Sequence, residues 1–180
     1  MNEWIRELGR LGAAGDAAVL VTVAGIRGSA PREVGAKMIV TATETIGTIG
    51  GGRLEYEATR IAADMLDAEQ LVLRGFSLGA AMGQCCGGVV EILFEPLTGR
   101  VPRWLRDLGA AYDRREPAVV ATQLSASDPQ KVVVTADGVS GIEESKADAA
   151  VVARARAMLD ANAGAQRDKD ALFEPVVSPD

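Results

Sequence analysis

The sequence predicts an α/β fold, with one mixed sheet of about six or seven strands covered by helices in a single domain. Three observations support this class. Short runs rich in Val, Ile and Ala alternate with segments of helical periodicity. Some of the apolar runs follow one another directly, which indicates strand–strand links as well as strand–helix links. The 180 residues, of which 48% are hydrophobic and 24% charged, suffice for one substantial core.

The helices are predicted from apolar residues that recur every three or four positions, and the strands from short β-rich runs bounded by Gly, Pro or polar residues. The predicted helices cover residues 2–11, 54–70, 104–115 and 147–161. The predicted strands cover residues 17–26, 37–43, 44–50, 70–76, 89–97, 117–124 and 131–138. No internal repeat is apparent. The tail after residue 165 is charged and then bounded by proline, so a linker is predicted for residues 166–180.

The composition excludes several classes of function. A net charge of −6 argues against broad nucleic-acid binding, which needs clustered positive charge. The chain has no histidine, which excludes within it a Ser-His-Asp triad, a Cys-His pair and a His-ligated metal. Two cysteines are too few for a four-thiolate site in one chain. We expect no membrane span and no signal peptide, so the default location is cytoplasmic.

Three glycine-containing segments carry the candidate chemistry. The first, RGSAPREVGAK at residues 27–37, is called the arginine segment. It holds Arg27, Arg32 and Lys37 beside the hydroxyl of Ser29. Three cations and a hydroxyl suit a phosphate or a pterin carbonyl, although a solvated loop is an equally good interpretation of exposed charge.

The second, GTIGGGRLE at residues 47–55, is called the glycine segment and joins a strand to a helix. Glycine amides and a helix N-terminus can hold a phosphate. The segment lacks the lysine of a P-loop and the glycine order of a dinucleotide fingerprint. A tight turn with close helix–sheet packing is therefore the alternative.

The third, SLGAAMGQCCGG at residues 77–88, is called the cysteine segment and contains both cysteines of the chain, Cys85 and Cys86. A free cysteine is often a buried small hydrophobe. A Cys-Cys pair between glycines, however, is an unusual core element, and a loop can present a thiolate to cations or amides. We therefore favour a functional thiol, and we expect the three segments to converge at one face of the sheet, because ligands gather at strand ends.

In this order and spacing, GSAPREVGAKMIV, GTIGGGRLE and GQCCGG resemble the N-terminal domain of the XdhC/CoxI family, the xanthine dehydrogenase accessory proteins. The resemblance is strong over residues 4–97 and looser up to residue 175. It implies that residues 1–97 carry the motifs, that residues 98–165 add further strands and helices, and that residues 166–180 lead towards an absent C-terminal Rossmann-like domain. All of residues 1–180 would then form one N-terminal domain.

The resemblance also implies a function. Proteins of this family bind molybdenum cofactor (molybdopterin), support its sulfuration by a cysteine desulfurase and assist its insertion into a molybdenum hydroxylase apoenzyme of the xanthine dehydrogenase or CO dehydrogenase type. Such a protein is a cofactor-binding chaperone rather than an enzyme, and self-association as a homodimer is left open. The two cysteines, Cys85 and Cys86, would contact molybdenum or carry a persulfide. The motifs also include Pro31, Gly35 and Gly47. The cofactor-binding residues that the resemblance implies are Ser29, Arg32, Lys37, Gly50, Gly51, Gly52, Glu55, Gln84, Cys85 and Cys86.

Two other functions remain open on the residues alone. Cys85 and Cys86 also suit a thiol redox or sulfurtransferase protein, and the glycine segment also suits a nucleotide-binding domain.

Overall fold

The computed structural model describes residues 3–79, 87–124, 129–142, 147–161 and 163–177, without the side chains of residues 160 and 161. The helices are α1 (Glu3–Ala14), α2 (Gly52–Asp64), α3 (Arg103–Asp113) and α4 (Ala149–Ala161). The strands are β1 (Ala17–Arg27), β2 (Lys37–Thr41), β3 (Thr45–Gly47), β4 (Val72–Ser77), β5 (Val89–Thr98), β6 (Ala118–Gln123), β7 (Gln130–Thr135), β8 (Val139–Ser140), β9 (Gln166–Arg167) and β10 (Ala171–Val176). The chain divides into two compact units, Arg10–Arg100 (the N-terminal unit) and Met1–Gly9 with Val101–Asp180 (the C-terminal unit).

The N-terminal unit is built on a five-stranded sheet with the strand order β3-β2-β1-β5-β4. The central strand β1 is buried at eight consecutive positions, as expected for a Val- and Ala-rich strand covered on both faces. Helix α2 places Leu54, Ala58 and Ala62 on one stripe, because residues four apart share a helix face. These three residues pack on a core of alternate strand residues that includes Val21 and Phe94.

The C-terminal unit contains a second five-stranded sheet with the strand order β8-β7-β6-β10-β9. Its central strand β6 is buried at every position. Helix α4 packs Val151 and Ala155 against the sheet residues Ala121 and Phe173. In the same unit, the rings of Trp4 on α1 and Trp104 on α3 lie 6.4 Å apart between centroids, at an interplanar angle of 37°.

The α/β class is confirmed, but the prediction of one mixed sheet is wrong. All pairings between the described strands are antiparallel, and they form two sheets of five strands. The reason is that each strand pairs with strands of its own half of the chain. Residues 166–176, expected to be linker, form β9 and β10, because Leu172 and Phe173 are buried beside β6 while the charged residues before them make the turn.

A membrane span was not expected, and no helix within the described ranges combines the length and the apolar character that crossing a bilayer requires.

Candidate functional site

The three glycine-containing segments leave the N-terminal sheet at one end. Arg27, the last residue of β1, pairs with Val89, the first residue of β5. Ser77, the last residue of β4, pairs with the same Val89. In β2 and β3, Met38 pairs with Gly47, so these strands also meet the glycine segment near this end. The antiparallel pairing therefore brings the ends of the arginine, glycine and cysteine segments together.

The arginine and glycine segments are packed against each other at Gly50. This residue has a φ of 123°, and a Cβ built on it would lie 2.7 Å from both Cβ and Cγ of Pro31 and 3.4 Å from Cγ of Arg32. Real Cβ contacts do not reach 2.7 Å, so Gly50 is required both by its backbone conformation and by its neighbour. Gly50, Gly51 and Gly52 all have positive φ, and the turn that they form contacts Pro31 at Gly50.

The arginine segment also packs against the end of the cysteine segment. A Cβ on Gly88 would overlap the carbonyl oxygen of Ser29 and would lie 2.9 Å from that of Arg27. The amide of Leu78 donates to the carbonyl of Gly88 at 2.7 Å, which closes the base of the cysteine segment. The predicted convergence is therefore confirmed for the described parts of the three segments. Gln84, Cys85 and Cys86 lie outside the described residues.

Glu55 holds the glycine segment in place. Its Oε2 accepts hydrogen bonds from the Thr48 hydroxyl at 2.5 Å, from the Ile49 amide at 2.9 Å and from the Gly51 amide at 3.0 Å. Burial alone would raise the pKa of Glu55, but these hydrogen bonds outweigh it and the pKa is lowered. The Gly50 amide donates to the Thr48 hydroxyl at 3.0 Å. The amides that could cradle an external phosphate at residues 49–51 thus already have acceptors within the chain.

The amides of this segment that remain available to an anion are therefore those at the start of α2. The helix follows Gly51 without a side-chain cap. The first amides of an uncapped helix point outward and carry partial positive charge. Gly52 and Arg53 are both exposed at this position.

Arg32 lies beside the glycine segment, since a Cβ built on Gly50 would lie 3.4 Å from its Cγ. Its guanidinium forms a bidentate pair with Glu33, with two N–O distances of 3.2 Å, and its side chain remains 37% exposed. The hydrogen bond with Glu33 raises the pKa of Arg32, with a smaller contribution from the charge of Glu55, and lowers the pKa of Glu33. Arg32 is thus a permanent positive charge within reach of solvent.

Lys37 is placed differently from Arg32. It is half-buried, and its Nζ donates to the hydroxyl of the buried Thr22 at 2.9 Å. Ser29, by contrast, is exposed in the arginine segment. The structure therefore brings Ser29, Arg32 and Gly50–Gly52 to one end of the sheet, while it directs the lysine into the strands.

Sequence reasoning did not single out two residues, Thr48 within the glycine segment and Tyr56 directly after it. Thr48 is the shared hydrogen-bond partner of Glu55 and Gly50. Tyr56, in the first part of α2, is 67% exposed. The helical pattern could have identified Tyr56 as a solvent-facing residue, because it falls off the stripe formed by Leu54 and Ala58. Across the part of the chain that the structure describes, no group of three or more potential Asp, Glu, Cys or His metal ligands is present.

The structure thus defines a two-unit α/β protein in which three loop segments meet at one end of the sheet of the N-terminal unit. Residues 11–76 match the sequence model of the XdhC and CoxI family, which confirms the resemblance seen in the motifs. The match includes the arginine and glycine segments and ends before the cysteine segment.

A solved structure from Bacillus halodurans, described as a xanthine dehydrogenase, shares this fold. The TM-score is 0.71 at 17% sequence identity, and the alignment covers 98% of this chain and 53% of that chain. This chain therefore spans about half the length of the protein it matches. Among curated proteins, no match is found.

Proposed function

We propose that this chain binds molybdenum cofactor and assists the maturation of a molybdenum hydroxylase of the xanthine dehydrogenase or CO dehydrogenase type. One observation carries the proposal. The residues that match the XdhC and CoxI family include two motif segments, and the fold packs these two against each other at Gly50 and Pro31. The third segment, with the cysteines, joins them at Gly88 and Ser29. Motifs that are far apart in the sequence thus form one surface.

The residues present fit the chemistry of molybdopterin. The uncapped start of α2 and the guanidinium of Arg32 suit its phosphate. The exposed ring of Tyr56 suits the planar pterin. The thiols of Cys85 and Cys86, outside the described residues, are soft ligands that suit the molybdenum–sulfur centre or a persulfide. When bound, the cofactor supplies the redox-active molybdenum that the client enzyme uses.

In this proposal the chain is a carrier and not a catalyst. It would hold the phosphate and pterin while a cysteine desulfurase provides the sulfur and the apoenzyme receives the cofactor. The glycine segment is less suited to a nucleotide, because Glu55 and Thr48 already accept its amides and a carboxylate would repel a polyphosphate. A cofactor with one phosphate is more compatible with this arrangement.

The test is native mass spectrometry of the full chain produced in a host that makes molybdopterin. The wild-type chain is expected to carry a pterin with the mass of molybdopterin or its molybdenum form. Arg32→Ala is expected to weaken retention by about tenfold or more, since a hydrogen bond to a charged group contributes about 1.5–3 kcal/mol.

Arg60→Ala is the matched control, because Arg60 is also exposed and also paired with a glutamate, Glu57, at 3.1 Å. Arg60 lies about two turns beyond the start of α2, so Arg60→Ala should leave cofactor retention unchanged. A wild-type chain that carries no pterin, or that binds ATP or NAD instead, would contradict the proposal, as would thiol turnover in the absence of any pterin. Equal losses in the two arginine variants would contradict the assignment of Arg32.

A further inference from the structure

The two halves of the chain have the same architecture. The order of elements is helix, strand, strand, short strand, helix, strand, strand in both, from α1 to β5 and from α3 to β10. The sheets have equivalent strand orders, β3-β2-β1-β5-β4 and β8-β7-β6-β10-β9. The register of the second hairpin strand also agrees, since Ile39 pairs with Ile46 in one half and Val133 with Ser140 in the other.

The first helix and first strand of each half correspond residue by residue. The sequence Trp-x-Arg-x-Leu-Gly begins α1 at Trp4 and occurs again in α3 at Trp104. Each helix is followed by a residue of positive φ that lies eleven positions after the tryptophan, with 81° at Gly15 and 60° at Arg115. In both, the amide of the next residue donates to the carbonyl five residues earlier at 2.9 Å.

The following hairpin corresponds as well. KMIVTATETIG at residues 37–47 matches KVVVTADGVSG at residues 131–141. Both end in a glycine of positive φ, and a Cβ on either glycine would lie 3.0 Å or less from the carbonyl oxygen of the lysine that begins the hairpin. The lysine Nζ donates to a buried threonine hydroxyl in both halves, from Lys37 to Thr22 at 2.9 Å and from Lys131 to Thr122 at 2.6 Å.

The last strands complete the correspondence. β5 and β10 both contain Phe-Glu-Pro. The proline faces a valine of the central strand in each sheet, as Pro96 faces Val19 and Pro175 faces Val119. The edge strand of each half also pairs as far as this phenylalanine, since Val72 of β4 pairs with Phe94 and Gln166 of β9 pairs with Phe173.

We infer that residues 3–98 and 103–176 are two copies of one α/β unit, and that the ligand site belongs to the first copy alone. The inference about the site rests on the proposed function, whereas the inference about the copies does not. The second copy is shorter at two places. Residues 23–36, which include most of the arginine segment, correspond to residues 123–130, and residues 74–92, which include the cysteine segment, correspond to residues 168–171.

The second copy also lacks the glycine segment, since Gly141 is followed by Ile-Glu-Glu-Ser rather than by a run of glycines. All three differences fall on the motifs, while the helices and hairpins are retained. A feature present in both copies therefore belongs to the scaffold, and a feature of the first copy alone belongs to the site. By this comparison Lys37, whose counterpart Lys131 makes the same hydrogen bond without a glycine-rich segment nearby in the sequence, is a scaffold residue and not a cofactor ligand.

The lysine assignment is tested with Lys37→Met and Lys131→Met in the full chain, by urea unfolding and by molybdopterin retention per folded protein. Both variants are expected to lower the unfolding midpoint and to leave retention unchanged, whereas Arg32→Ala lowers retention about tenfold. A loss of retention in Lys37→Met as large as in Arg32→Ala, at an unchanged midpoint, would overturn the assignment. Should either methionine variant fail to fold, Thr22→Val and Thr122→Val remove the same hydrogen bonds with little change of shape.

The equivalence of the copies is tested without any ligand. Residues 131–141 are replaced by the sequence KMIVTATETIG, and in the control the same graft is displaced by one position. The aligned graft is expected to unfold cooperatively with a midpoint near that of the wild type. The displaced graft should fail to fold, because a one-residue shift turns the buried side chains to the opposite face. Failure of both grafts would overturn the equivalence, even if the chain proves to bind molybdopterin, and success would support it even if the chain binds none.

Discussion

Replacing Arg115 by glycine should stabilise the protein. Among the described residues, Arg115 is the one non-glycine residue with positive φ, at 60°. An L-residue in this conformation costs about 1–2 kcal/mol, and glycine avoids this cost but loses about 0.5–1 kcal/mol of additional chain entropy on folding. The side chain is exposed, so little packing is lost. The expected net gain is about 0.5–1 kcal/mol.

The reverse change provides the matched control, because the first copy has a glycine at the same place. Gly15 has a φ of 81° and an open position in which an added Cβ meets no atom within 4 Å. Gly15→Arg should therefore destabilise by about 1 kcal/mol through backbone conformation alone. The measurement is urea unfolding of both variants, with expected midpoint shifts of opposite sign and about 0.2–0.5 M for a typical dependence on urea. A neutral or destabilising Arg115→Gly together with a neutral Gly15→Arg would refute the reasoning.

Three further predictions concern the candidate site. Glu55→Gln should reduce the loss of stability that occurs below about pH 4.3. The folded-state pKa of Glu55 is lowered, so its carboxylate stabilises the protein above the unfolded-state pKa, and this stabilisation is lost as the pH falls through the folded-state pKa. Unfolding midpoints measured from pH 7 to pH 3 test this, and parallel curves for wild type and variant would contradict it. Gly50→Ala should destabilise by about 1–3 kcal/mol because its methyl group meets Pro31, and an unchanged urea midpoint would contradict the packing of the two segments. Replacing Cys85 and Cys86 together by serine should leave the unfolding midpoint unchanged while reducing both cofactor retention and activation of a client hydroxylase; full activation would remove the thiols from the proposal.

The local elements could be predicted from the sequence, and the sheet assignment could not. Hairpins such as residues 37–47 follow from short apolar runs joined by polar turns. The pairing of β10 with β6 joins residues that are about 50 positions apart, and nothing local in either strand identifies its partner. The duplication does not produce a regular sequence repeat, because the separation between equivalent residues is not constant. Trp4 and Trp104 are 100 positions apart, whereas Phe94 and Phe173 are 79 positions apart.

The candidate site, like the fold, could be predicted from the sequence only in part. The convergence of the segments could be predicted, because each segment is attached to the end of a strand. The role of Glu55 could not, because its hydrogen bonds to the glycine segment depend on a backbone turn of three successive positive-φ glycines. Lys37 and Arg32 are both cations of the arginine segment, and the contacts that distinguish them cannot be inferred from the sequence. Lys37 donates to Thr22, whereas Arg32 pairs with Glu33.

The proline of the Phe-Glu-Pro motif has a consequence for association between molecules. Proline has no amide hydrogen, so Pro96 must occupy a position of the β1–β5 pair where the nitrogen faces away from β1. The strand on that side of β5 is β4, whose first residue pairs with Phe94, so β4 does not extend as far as Pro96. Pro175 occupies the equivalent position in the second copy. A strand from another chain that approached this stretch would find an amide donor missing in each sheet. The motif should therefore make intermolecular strand addition less favourable at this stretch of each sheet.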